Sequence, residues 1–87
     1  MIHDYMYDQI NEPIEVVVNF KSNEIIPKFF SWRRKIYKVA KVHLVHTSKV
    51  GNQILYHFSV TDETNYFQLV FNPFTLTWIL KTLYHNS

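Results

Sequence analysis

The sequence holds no cysteine and only one glycine in 87 residues. Without cysteine, no disulfide can staple a small fold and no thiolate can hold a structural metal. With Gly51 alone, there is no glycine-rich loop to bring backbone amides around a phosphate. No apolar run approaches the roughly 20 residues that a membrane-spanning helix needs. Asp4 and Asp8 stand where a secretory leader would carry cations ahead of an apolar run. The chain therefore reads as a soluble, intracellular, cytoplasmic protein. Acid is also missing locally: residues 25–50 contain seven lysines and arginines and no aspartate or glutamate.

Aromatic rings are plentiful: seven Phe, six Tyr and two Trp. A 10.5 kDa chain should fold to a surface of about 5,400 Å², which leaves room for one thin core. Rings and β-branched residues suit a pleated, half-buried surface, so the composition leans to β structure. Ile14, Val16, Val18 and Phe20 alternate on one face of a first strand, and Ser22-Asn23 supplies its turn. Ile25 to Trp32 is a second strand, in which Pro27 gives up a ladder donor and so favours an edge or a bulge. Arg33-Arg34 forms the next tip and leads into one long strand from Lys35 to about Thr47. Residues 1–12 have no clean period and read as a loose arm or a single helical turn.

Three further turns can be checked against one another, because register decides which side chains meet. A tight turn of II′ type at Gly51-Asn52 places Val45 opposite Phe58, Thr47 opposite Tyr56, and Lys41 opposite Asp62. A turn at residues 62–65 then pairs Val60 with Phe67 and Phe58 with Leu69. The loop from Asn72 to Thr77 pairs Phe71 with Trp78 and Leu69 with Leu80. One continuous apolar face results. The other face is mostly polar, but Tyr66, Val70, Ile79 and Leu83 form a small apolar patch on it, a candidate protein interface. Six short strands on one core point to an all-β fold: residues 13–87 as a single small five- to six-stranded antiparallel barrel, SH3-like or OB-like in size.

Residues 28–41 interleave six of the nine cations with aromatic rings. If their ring-bearing face is exposed, Trp32 and Tyr37 are stacking surfaces, with Arg33, Arg34, Lys35, Lys38 and Lys41 as phosphate contacts for single-stranded nucleic acid or RNA. If that face is core, only the tip Arg33-Arg34-Lys35 projects. His46 and His57 would face each other beside the Gly51 turn, but two imidazoles fall short of a zinc site. His57, Ser59 and Asp62 match a catalytic triad by residue type, yet sit on an open strand face with no pocket. No metal, cofactor or enzymatic activity is expected.

The pattern Pro27-x-x-Phe30-x-Trp32-Arg33-x-x-x-Tyr37-x-Val39 resembles a bacterial family of small all-β domains of unknown function. Its members carry Phe-x-Trp-Arg-Gly-Arg-x-Tyr-x-Val, sometimes appended to DNA-repair polymerase-like proteins. Phe30, Trp32, Arg33, Tyr37 and Val39 match; Arg34 stands in place of the family's glycine and Lys35 in place of its arginine. The resemblance continues loosely through Tyr56-x-Phe58, residues 66–71 and Trp78-x-Leu80, and it implies an all-β fold. Two functions are expected of such a chain. One is a nucleic-acid-binding accessory module using the basic aromatic hairpin. The other is a protein-interaction or homodimerising module using an edge strand or the C-terminal patch.

Overall fold

The computed structural model describes residues 5–86. They form seven antiparallel strands: β1 (Tyr5–Lys21), β2 (Glu24–Trp32), β3 (Lys35–Lys38), β4 (Lys41–Val50), β5 (Gln53–Thr61), β6 (Tyr66–Asn72) and β7 (Thr77–Asn86). All belong to one sheet, in the order β3-β2-β1-β7-β6-β5-β4.

The turn residues account for the hairpins. Ser22 and Asn23 both have positive φ, 52° and 66°, which is the two-residue I′ geometry that matches strand twist. Gly51 alone is positive in its turn, at 60°, as the II′ type requires. Asp62 Oδ1 accepts from the Thr64 and Asn65 amides, and Asn72 Oδ1 accepts from those of Phe74 and Thr75. Both side chains thereby hold their loops by local bonds to the backbone.

The expected register holds through the core. Val45 meets Phe58 and Thr47 meets Tyr56, Val60 meets Phe67 and Phe58 meets Leu69, and Phe71 meets Trp78. Phe58, Val60, Phe67, Leu69 and Leu80 are almost completely buried. The hairpin β2–β3 folds over this face. Phe67 packs edge-on against Phe30 and Tyr37, with ring centroids 5.0 and 5.4 Å apart.

Four features differ from the sequence expectation. Residues 5–12 are not a loose arm or helical turn but the first half of β1, paired with β7; residues 1–4 lie outside the described range. The missing period has a cause, because the β1–β7 register shifts between Gln9 and Glu12 and Asn11 has φ 52°, the mark of a bulge. Second, β4 shifts register between Val42 and Leu44, so Lys41 meets Thr61 rather than Asp62. Third, a shift beside Lys81 pairs Tyr66 with Tyr84 and Phe67 with Leu83.

The fourth difference is the sheet itself, which has seven strands rather than five or six and is not closed into a barrel. The expected long strand from Lys35 divides at Val39-Ala40. Val39 N donates to Lys28 O at 2.9 Å, and the next amide, Ala40 N, donates instead to Thr61 O of β5 at 2.7 Å. Pro27, just before Lys28 in β2, has no N–H to extend the β2–β3 ladder. The chain therefore leaves β2 for β5 and becomes the opposite edge of the sheet. The two edges are joined covalently while the ladder between them stays open. The accessible surface of 6374 Å², against about 5,400 Å² for a closed domain of this mass, is in keeping with that opening.

Candidate functional site

The basic hairpin takes the core arrangement of the two the sequence allowed. Arg33 and Arg34 form its tip, Trp32 pairs with Lys35, and Phe30 pairs with Tyr37. Trp32 is buried and Tyr37 half-buried. Phe30 stacks on Tyr37 at 5.0 Å, so these rings face the interior instead of forming an open stacking platform. Trp32 Nε1 donates to Glu12 Oε1 at 2.7 Å. Arg33 grips the same carboxylate with Nε and Nη2 at 3.3 and 2.9 Å, and its guanidinium lies 4.6 Å from the Trp32 ring centroid. Those bonds from Arg33 and then Trp32 hold the Glu12 carboxyl below its ordinary value of 4.5, and the bond to Glu12 in turn raises Arg33. Arg33 is thus answered by an acid of the N-terminal strand rather than left for an external phosphate.

Arg34, Lys35, Lys38 and Lys41 are exposed, and among the described residues none has a carboxylate within ion-pair distance. Lys35 lies over the Tyr37 ring at 5.1 Å. Lys28, Lys35 and Lys38 border an open groove of about 630 Å³, but Asp62 and Glu63 line it too. Mixed charge there weakens the field that a polyanion would need.

The outer face holds Tyr66, Val70 and Ile79 as expected, with Val70 opposite Ile79. Leu83 does not belong with them: the shift at Lys81 turns it inward, where it packs on the core. Tyr84 takes its place. The result is a cross-strand aromatic row, in which His43 stacks on Tyr66, Tyr66 meets Tyr84 edge-on, and Tyr84 leans on Tyr7. Further along, His46 and His57 stack in parallel with centroids 4.6 Å apart. His57 is buried and shares a 2.7 Å hydrogen bond with Ser48 Oγ. Burial, then His46 and Lys81, push its pKa down from 6.5. The two rings lie face against face and do not converge on a common point.

The sheet has two edge strands, the four-residue β3 and the ten-residue β4. The second edge of β4 has no partner among the described residues. Its hairpin closes at Val50↔Gln53, and bonded and non-bonded pairs alternate from that closing pair. Val45, Thr47 and Lys49 consequently turn both N–H and C=O away from β5. Leu44, Val45 and Val50 are 55, 49 and 62% exposed. A strand of this length, without proline and with apolar side chains on both faces, is a template for pairing.

Facing it across the opening is the first half of β2. There the β1–β2 turn makes Lys21↔Glu24 the closing pair, so Ile25 and Pro27 direct their backbone outward. Two adjoining grooves of about 370 and 380 Å³ fill the space between these strands, floored by Tyr56 and Phe58 and bordered by Ile25, Pro27, Lys28, Lys41 and Val45. No helix of the described residues is long and apolar enough to cross a membrane. No family model, curated protein or solved structure matches the chain.

Proposed function

We propose that this chain is a non-enzymatic protein-binding module that captures an extended segment of another protein along the free edge of β4. The observation that carries the reading is an edge strand of 10 residues whose outward amides and carbonyls lie beside two open grooves. Main-chain hydrogen bonds from such an edge supply affinity, and the grooves beside it select side chains. The nucleic-acid reading has less support. Its best cation is bound by Glu12, its tryptophan is buried, and Lys35 and Lys38 share their groove with Asp62 and Glu63.

Amide chemical shifts separate the two. A synthetic extended peptide should move the resonances of Val45, Thr47 and Lys49, and a single-stranded oligonucleotide should move none. Shifts confined to Arg34 through Lys38 on adding the oligonucleotide, lost steeply between about 50 and 200 mM salt, would return the function to nucleic acid.

A further inference from the structure

The opening between β2 and β4 is wedge-shaped. Its apex is at Val39-Ala40, where the chain is bonded to both sides, and its unpaired side lies towards the turns at residues 22–23 and 51–52. From its geometry and charge we infer that the wedge receives one extended, acidic-apolar segment of a partner protein, laid antiparallel to β4. The inference rests on the reading of β4 as a capture edge and adds the chemistry and direction of the occupant. Antiparallel pairing, the more stable kind per residue, puts the segment's C-terminal end at the apex. Lys28 and Lys41 border the groove there, and both are exposed. Carboxylates therefore belong at that end. Glu24 lines both grooves, but the one beside Tyr56 and Phe58 has no lysine to balance it, so acids are unfavourable there, and apolar side chains fit where the segment passes Val45 and Tyr56. Pro27 gives β2 no donor at its outward position, so the ladder forms chiefly with β4.

A second copy of the chain is a poor occupant. β4 carries Lys41, His43, His46 and Lys49 and no acid, and antiparallel β4 strands centred on Val45 would set Lys41 against Lys49 of the other copy. Like charges directly opposite are destabilising. The acid-bearing β1 cannot be lent to this wedge, because both of its edges are already paired, with β2 and β7.

The test uses three fluorescein-labelled peptides of alternating valine and threonine, differing only in whether the last polar positions are glutamate, glutamine or lysine. At ~0.1 M salt the glutamate peptide should bind roughly fivefold tighter than the lysine peptide, the scale expected of two exposed charge contacts. Its shifts should fall on Ile25, Val45, Thr47 and Lys49. Lys28→Glu combined with Lys41→Glu should reverse the order; both side chains are exposed, and circular dichroism confirms that the variant remains folded. Val45→Asp should weaken the glutamate peptide most. Equal binding of all three at these amides would overturn the acidic occupant and leave edge capture standing. Shifts on the Tyr66–Ile79 face, or a β4-mediated dimer in sedimentation, would overturn the wedge as receptor. No peptide binding alongside oligonucleotide binding at Arg34–Lys38 would overturn both.

Discussion

Replacing Arg34 by glycine should make the protein more stable, although it removes a long side chain from a hairpin tip. Arg33 and Arg34 occupy the two central positions of an I′ turn with φ of 51° and 65°. A side chain held in that region costs roughly 1–2 kcal/mol, because its Cβ crowds the following carbonyl. Glycine removes the crowding but gives the unfolded chain more freedom, which offsets about 0.5–1 kcal/mol. The net gain is about 0.5–1 kcal/mol, or a rise in Tm of roughly 2–8 °C for a domain of this size. Arg33→Gly relieves the same backbone strain but also removes the two bonds to Glu12 and the contact with Trp32. It should therefore melt at or below the parent temperature. Thermal unfolding followed by near-ultraviolet circular dichroism reads both variants. A lower Tm for Arg34→Gly, or an equal rise for both, would refute the argument that the Glu12–Arg33–Trp32 clamp holds a strained turn in place.

Glu12 has its pKa lowered by Arg33 and Trp32, so its contribution is present above the ordinary carboxylate value and is lost as pH falls through the folded one. Glu12→Gln should lower stability near neutrality and flatten the acid limb of a stability–pH profile. His57 is also depressed. The unfolded chain takes up that proton near 6.5, before the folded one does, so this contribution is whole above that pH and declines below it. His57→Gln should reduce the slope of the denaturation midpoint between about pH 7 and pH 5, and the parent His57 ring should titrate in NMR below the ordinary histidine value. Phe67→Ala empties a fully buried site that joins β6 to Phe30 and Tyr37. It should cost about 3–5 kcal/mol, a large share of the ~4–13 kcal/mol expected for a chain of this length, and urea denaturation should show it as a lowered midpoint.

The hairpins were legible in the sequence because two local signals agree. Turn residues such as Ser22-Asn23 and Gly51-Asn52 fix where strands reverse, and period-two patterning then fixes Val45 against Phe58 or Phe71 against Trp78. The bulges were not legible. A single extra residue at Lys81 turns Leu83 from the outer patch to the core, and nothing in the local pattern announces it. The same holds for Asn11, whose bulge hides a strand that continues through Glu12. Closure was also beyond reach, since open and closed sheets have the same inward alternation. The clue lies in Pro27, an edge or bulge signal by its missing N–H; it marks where the ladder ends and the chain departs for β5. The clamp joins residues 20 and 21 positions apart. Its only sequence trace is the placing of an acid-rich segment ahead of a basic one.

Hydrogen exchange of the free protein, read amide by amide along β4, tests most directly whether this edge is open and available. The account predicts alternation: the amides of His46 and Ser48, bonded to β5, exchange slowly, while those of Val45, Thr47 and Lys49 exchange quickly. Uniform protection from Val45 to Lys49 would mean that another strand already occupies the edge, and would contradict the account.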